Sequence, residues 1–231
     1  MLVNIYMDLM LNPNWKKIGI SLSGGADSAL LAYLICSQSD ATIHFTHQIR
    51  MWKTRPWQNH VFHQVVDWFV KRFGDRFQTY ENLVPPEMEE PNTTYIKDEY
   101  GKSKPGNRII LRSYNEYIAH REGLDALYAA VNKNPDVRFE GAPEERYEGH
   151  IEPHFVHDGI NIVHPFVNTR KDWIIQQYYE LGIEDLLDIT RSCEGEFEGL
   201  NYKTYTPGDP VPICGECFWC LEREWALGEV E

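Results

Sequence analysis

The sequence predicts an α/β fold: an open parallel sheet flanked by helices, with a cysteine knuckle at the C-terminal end. Three observations carry this. An apolar strand runs through a glycine turn into an apolar helix near the N-terminus; strands and helices alternate along most of the chain; and four of the five cysteines gather toward the C-terminus.

The first observation is the stretch from Ile18 to Leu31. Ile18, Ile20 and Leu22 are apolar with small residues between them, as in a strand buried on both faces. Gly24 and Gly25 allow a sharp turn and close approach of a ligand to the backbone. Asp27 and Ser28 suit the first turn of a helix whose body runs from Ala29 to Ile35. Backbone N–H groups at such a turn, added to a helix N-terminus, form an anion site suited to phosphate. A Walker A loop is excluded, because it needs Gly-Lys-Ser/Thr and no lysine lies between Lys17 and Lys53. The remaining alternative is a Ser/Gly-rich turn without a ligand.

Along the chain, Ile5, Leu9 and Leu11 around Met7 and Met10 predict a short opening helix ended by Asn12-Pro13-Asn14. After the strand and loop comes a helix at about 27–38, then a strand over 41–47 (ATIHFTH). Strand, helix and strand imply a right-handed parallel crossover, with ligands at the carboxyl ends of the strands. Val61, Val65, Trp68, Phe69 and Arg72 share a stripe and predict a helix over 58–73, closed by Gly74. A third strand is expected over 77–80. Residues 83–107, polar and rich in proline and glycine, read as an insertion or lid. A helix follows over 109–120 with Gly123 as its C-cap, then a buried strand over 126–131. Residues 132–160 read as a second long polar segment, in which His150, His154 and His157 lie close together; a polar loop and a second metal site are the two readings. Ile162 and Val163 read as a last strand, and Trp173, Ile174, Tyr178 and Leu181 define an amphipathic helix over 172–181 capped by Gly182.

With 231 residues, the chain is long enough for one α/β domain with an appendage. Hydrophobic content of 42% and charged content of 25% are those of a globular protein. No apolar run reaches the length of a membrane span, and the N-terminus lacks a basic region before its apolar residues, so no membrane partner is expected and a cytoplasmic location is. A net charge of −13 speaks against direct nucleic-acid binding and for a small-molecule substrate.

Cys36 sits in an apolar helix and reads as a core residue. Cys214, Cys217 and Cys220 fall at C-x2-C spacing, with Cys193 upstream. Two overlapping C-x2-C pairs form intramolecular disulfides poorly but wrap one tetrahedral ion well, and four thiolates close a structural Zn²⁺ shell. An iron–sulfur cluster and redox thiols are the alternatives. A closed shell has no open position, which assigns the metal to folding and not to catalysis.

Ser23-Gly24-Gly25-Ala26-Asp27-Ser28 resembles the SGGxDS signature of the PP-loop, or N-type, ATP pyrophosphatases. That resemblance implies a Rossmann-like, adenine nucleotide α-hydrolase-like sheet, ATP and Mg²⁺. It also implies cleavage between the α and β phosphates, with Ser21, Leu22, Ser23, Gly24, Gly25, Ala26, Asp27 and Ser28 around the nucleotide and Asp27 near Mg²⁺. Thr190-Arg191-Ser192-Cys193 followed by Cys-Gly-x-Cys-x-x-Cys and a short helix with Arg223 resembles the zinc end of the 7-cyano-7-deazaguanine synthase family. His164-Pro165-Phe166, Thr169-Arg170-Lys171, Pro105-Gly106-Asn107-Arg108 and Gln48 fit the same family, although Asn107-Arg108 inverts its usual order and His47 stands at a usual glycine. The family's acidic, tyrosine-bearing loop is replaced by residues 132–159.

The resemblance implies a PP-loop domain over 1–189 and a zinc-binding subdomain over 190–231. It further implies a deazapurine carboxylate and ammonia as substrates, a homodimer by analogy, and amide or nitrile formation through an adenylated intermediate. Asp27, Arg108 and Lys171 are the candidates for catalysis, the two cations as contacts to carboxylate or phosphate or else as solvated charges. Phe218 and Trp219 either stack on a base or cover the knuckle. Competing readings are a PP-loop tRNA-modifying ligase or thiolase, and a deazapurine-activating protein that couples its substrate to a partner.

Overall fold

The structure, a computed structural model, describes residues 7–50, 57–84, 95–97, 103–105, 107–143, 146, 151–195, 197, 204–210 and 212–230, with the backbone alone at 50, 83–84, 95–97, 103–105 and 107–112. Among the described residues the main sheet has six strands in the order β3-β2-β1-β6-β8-β7. They are β1 (Lys17–Ser21), β2 (Thr42–Arg50), β3 (Phe77–Val84), β6 (Ala126–Tyr128), β7 (His154–His157) and β8 (Ile160–Val163). The first five in that order are parallel; β7 joins the edge antiparallel to β8. The expected open parallel sheet is present, with one antiparallel strand added at its edge.

Helices cover both faces. α1 (Ala26–Gln38), α2 (Gln58–Phe73), α4 (Lys171–Glu180) and α5 (Glu184–Ile189) share the larger core with Ile18, Ile20, Phe45, Ala126 and Tyr128. α3 (Asn107–Glu122) covers the other face, where Ile118 and Ala119 meet Leu127 and Ile162. β6 displays the strand period directly: Ala126 and Tyr128 enter one cluster and Leu127 the other. α1 is buried almost all round because it lies between the sheet and α4, which explains its continuous apolar run. α6 (Phe218–Gly228) starts directly after Cys217 and packs on α4. No helix among the described residues is long and apolar enough to cross a membrane.

Several expectations are corrected. The part of the expected opening helix at residues 7–15 is not helical, its start at 1–6 lying outside the described residues; Asp8 Oδ1 accepts from the Met10 amide and Asn12 Oδ1 from the Asn14 amide, local bonds that compete with helical ones. Leu9 is instead pinned in the core, its carbonyl accepting the Tyr128 hydroxyl at 3.0 Å. β2 and β3 run three and four residues further than expected, because their ladder continues to Arg50 and Val84 and Asn82 donates across it to Gln48 at 2.8 Å. β6 stops at Tyr128, leaving 129–132 free to line a cleft. Within the segment read as a polar loop, β7 and β8 form a hairpin around Asp158-Gly159, both with positive φ (49° and 80°). That is the two-residue turn which an Asp-Gly pair between alternating residues specifies. The 83–107 insertion contains a small antiparallel pair, β4 (Tyr95–Lys97) and β5 (Ser103–Pro105); the rest of it lies outside the described residues.

Candidate active site and metal centre

The glycine loop leaves the carboxyl end of β1 and enters α1, where the sequence puts it. Its entry is clamped by β2: the Leu22 amide donates to Thr46 O at 3.0 Å, and Leu22 O lies 3.0 Å from His47 Nδ1. Gly24 sits at φ 82°, and a Cβ there would stand 3.1 Å from Val61 Cγ1, so only glycine fits this turn without strain. Two serines then close the loop on itself. Ser28 Oγ donates to Gly25 O (3.1 Å) and accepts from the Ser23 amide (3.2 Å). Ser23 Oγ lies 3.1 Å from Ser28 Oγ and accepts from the Gly25 amide at 3.2 Å. This spends the hydroxyls on shaping the loop. The first-turn amides of Ala26, Asp27 and Ser28 have no acceptor within their helix by position, and they carry the positive end of the α1 dipole.

Asp27 is the acidic side chain of this turn and lines the cleft. Both its oxygens lie 2.7 Å from Lys171 Nζ, and its side chain keeps 18% exposure on the cleft. Lys171 itself is completely buried at the start of α4. Each carboxylate oxygen retains a lone pair beyond its bond to Lys171, which leaves Asp27 able to share a hard cation with a bound phosphate. Lys171 is thus neither a solvated charge nor a direct contact to the cleft; it holds Asp27 from behind.

The cleft has a volume of about 970 Å³. Its floor is the loop (Ser21, Ser23, Gly25, Asp27, Ser28) and the strand exits at Ala129–Asn132 and His164. Leu22, Gly24 and Ala26, also expected around a nucleotide, support the loop and do not line the cleft. Trp57, Gln58 and Val61 of the α2 end form one wall; Asn115, Glu116 and Glu152 stand on another. The segment after α5 closes the site. The Arg191 amide donates to Gly24 O at 3.0 Å, and a Cβ on Gly25 would stand 3.4 Å from Ser192 Oγ. Arg223 fixes this segment through Thr190 O, Thr190 Oγ1 and Leu187 O at 3.0 to 3.2 Å. Burial lowers the Arg223 pKa, as expected for a guanidinium satisfied by neutral acceptors. Arg191 lines the cleft beside the loop and is a cation that the sequence reading passed over, although it lies inside the quoted Thr190–Cys193 stretch. Arg108 lies in the first turn of α3, and its side chain falls outside the described residues.

The four expected cysteines come together: Sγ atoms of Cys193, Cys214, Cys217 and Cys220 all lie within 4.8 Å of one another. Cys193 and Cys214 are 3.6 Å apart, Cys214 and Cys220 3.8 Å. Amides of Gly195, Cys214, Glu194 and Cys217 point at the sulfurs at 3.3 to 3.4 Å, the arrangement that stabilises thiolates. Gly215 has φ 75° in the Cys-Gly turn, and a Cβ on Gly195 would stand 2.5 Å from Cys214 Sγ. The four thiols could hold a metal ion, and the cluster is built into the cleft wall, since Cys193, Glu194 and Trp219 also line the cleft. Phe218 is buried against the Arg146 guanidinium and covers the knuckle; Trp219 faces the cleft. The fifth cysteine, Cys36, is buried in the core as expected, and burial pushes its thiol up to about 12. Of the three clustered histidines, the two among the described residues do not come together. His154 and His157 are three residues apart on β7, hence on opposite faces; His154 meets Asn161 and His157 meets Glu116; His150 lies outside the described residues.

No protein-family model matches the chain, and no curated protein does. Solved structures resemble its fold. The U34-tRNA thiolase of Methanococcus maripaludis, solved with its 4Fe–4S cluster, is 17% identical with a TM-score of 0.44; the match covers 75% of this chain, which spans 58% of the thiolase. The phosphoadenylyl-sulfate reductase of Candida auris, in a phosphate complex, is 11% identical over 83% of this chain and 85% of its own, TM-score 0.44. The glutamine-dependent NAD⁺ synthetase of Acinetobacter baumannii, in complex with ADP, is 14% identical over 78% of this chain and 33% of its own, TM-score 0.44.

His47 gives the loop a pH dependence. Its ring stacks on Phe62 at 4.2 Å, its Nε2 is buried, and burial lowers its pKa from 6.5 to about 4. The unfolded chain takes up this proton at a higher pH than the folded one. Stability from this group is therefore complete above pH 6.5, falls as pH drops toward about 4, and levels off below. The expected loss is about 3 kcal/mol. Urea unfolding at pH 7 and pH 4.5 should show a shallower pH slope for His47→Gln than for wild type; equal slopes would contradict the assignment.

Proposed function

We propose that the chain is an ATP-dependent C–N ligase that forms AMP and pyrophosphate, acting on a 7-carboxy-7-deazaguanine-type substrate with ammonia. The observation that carries the reading is the closed Ser23–Ser28 loop, with its first-turn amides and Asp27 at the mouth of a cleft large enough for a nucleotide and a second small molecule. A lysine-free loop of this kind suits the leaving pyrophosphate: amides stabilise the charge that develops on it, and no side chain competes for the α-phosphorus. Mg²⁺ held between the phosphates and Asp27 would offset the remaining charge.

The substrate carboxylate attacks the α-phosphorus and pyrophosphate leaves. Ammonia then attacks the acyl carbon, AMP departs and a proton is lost, giving the amide. A second ATP adenylates the amide oxygen with release of pyrophosphate, and loss of AMP and, over the two steps, both amide protons gives the nitrile. The chain's contribution is positioning: the loop amides and Arg191 hold phosphate, and Lys171 fixes Asp27. Asn115, Glu116 and Glu152 supply acceptors to the N–H edge of a guanine-like base. A mass-spectrometric end-point assay with ATP, Mg²⁺, an ammonium salt and 7-carboxy-7-deazaguanine should give AMP with the amide or nitrile mass. Absence of AMP above background would refute this acceptor. Asp27→Asn should lower AMP formation by about a hundredfold or more; an undiminished rate in the folded variant would refute the assignment of the loop.

The metal in this reading is zinc. A Zn–S distance of about 2.3 Å gives a tetrahedral edge of about 3.8 Å, which the 3.6 and 3.8 Å separations match. A four-iron cluster puts an iron under each thiolate and spreads them further apart. All four ligands come from the chain, so the ion serves folding. Metal-replete protein should carry one zinc per chain, and Gly195→Ala should weaken retention against a chelator about tenfold, because the added methyl displaces Cys214. Iron and labile sulfide in place of zinc would contradict the assignment.

A further inference from the structure

Behind Asp27 and Lys171 lie two more buried charges that the proposed chemistry does not use. Glu222, on α6, is fully buried. One of its oxygens accepts from the Arg146 guanidinium; the other, Oε2, has no hydrogen-bond partner among the described residues and lies 3.9 Å from Lys171 Nζ. Arg146 is 5% exposed, donates through Nε to Asn132 O at 2.7 Å, and lies over the rings of Phe218 and Trp219 at 5.4 and 5.3 Å. The charges alternate along the row: Asp27 negative, Lys171 positive, Glu222 negative, Arg146 positive. Ion pairs this dry usually weaken a fold compared with apolar packing, so the row needs another reason to exist.

We propose that Glu222 and Arg146 are positioning residues that set the charge seen at Asp27, and so set how strongly the loop binds a divalent cation with its nucleotide. The inference rests on the reading of the loop as a nucleotide site. With Lys171 alone behind it, Asp27 would have its charge cancelled and would offer a cation little. Glu222 takes up part of the field of Lys171 and returns negative potential to Asp27; Arg146 limits that return. Removing Glu222 leaves the row with one extra positive charge, which repels a dication and attracts bare phosphate. Removing Arg146 leaves it with one extra negative charge, which does the reverse. Removing both restores the balance. A role in packing alone would weaken both kinds of binding in every variant.

The test is calorimetric titration of the full-length, metal-replete protein with a non-hydrolysable ATP analogue, across a magnesium series that includes magnesium-free buffer. Glu222→Gln should raise the magnesium concentration for half-maximal binding about tenfold while leaving metal-free binding equal or tighter. Arg146→Gln should shift both in the opposite direction. The double variant should return to within about threefold of wild type. Where one single variant does not fold, the other single and the double still decide. Shifts of the same sign in both singles, or a double variant no closer to wild type than its parents, would overturn the proposal. A wild-type protein that binds no nucleotide at any magnesium concentration would overturn the functional reading and this inference together.

Discussion

A fully buried ammonium is the constraint that the site obeys. Lys171 has no exposure to water, and taking an ammonium from water into a protein interior costs several kcal/mol unless counter-charges meet it. Asp27 meets it with both oxygens. That bond crosses from the first turn of α1 to the first turn of α4, so it fixes the helix that carries the glycine loop against the helix that leads to the knuckle. Tyr178 reinforces the same contact by donating to Ala26 O at 2.6 Å. The loop's position is therefore a tertiary property, held from β2 by Thr46 and His47, which bond Leu22, and from the C-terminal third by Lys171, Tyr178 and Arg191.

The same logic joins the cysteine cluster to the loop. Arg223 and Glu222 are neighbours on α6, which begins at the knuckle. Arg223 holds the segment from Leu187 to Thr190, whose next residue bonds Gly24; Glu222 faces Lys171. The metal site needs no part in the chemistry to matter for it. An ion held there would order the start of α6 and so place two side chains that reach the loop by different routes.

What the sequence made legible was local. Gly24 needs a positive φ, the cysteines have a fixed spacing, and α2 has an apolar stripe; each is a signal contained in a few neighbouring residues. The Asp158-Gly159 hairpin carried such a signal too, and was hidden only by the polar residues around it. The charge row carried almost none. Asp27 and Lys171 are 144 positions apart, Arg146 and Glu222 76. One local hint existed: a lysine in the first turn of a helix opposes the helix dipole, and such a placement asks for a carboxylate nearby. Arg191 was missed for a different reason, since its residue type is ordinary and its place beside the loop depends on the chain path after α5.

A crystal structure of the complex with Mg²⁺ and a non-hydrolysable ATP analogue tests the central claim most directly, because that claim is geometric. The expected result is the β and γ phosphates on the amides of Ala26, Asp27 and Ser28, with one Mg²⁺ shared between them and Asp27, and Lys171 still paired behind it. A triphosphate bound elsewhere in the cleft, or an Asp27 that remains turned away from the metal, would contradict it.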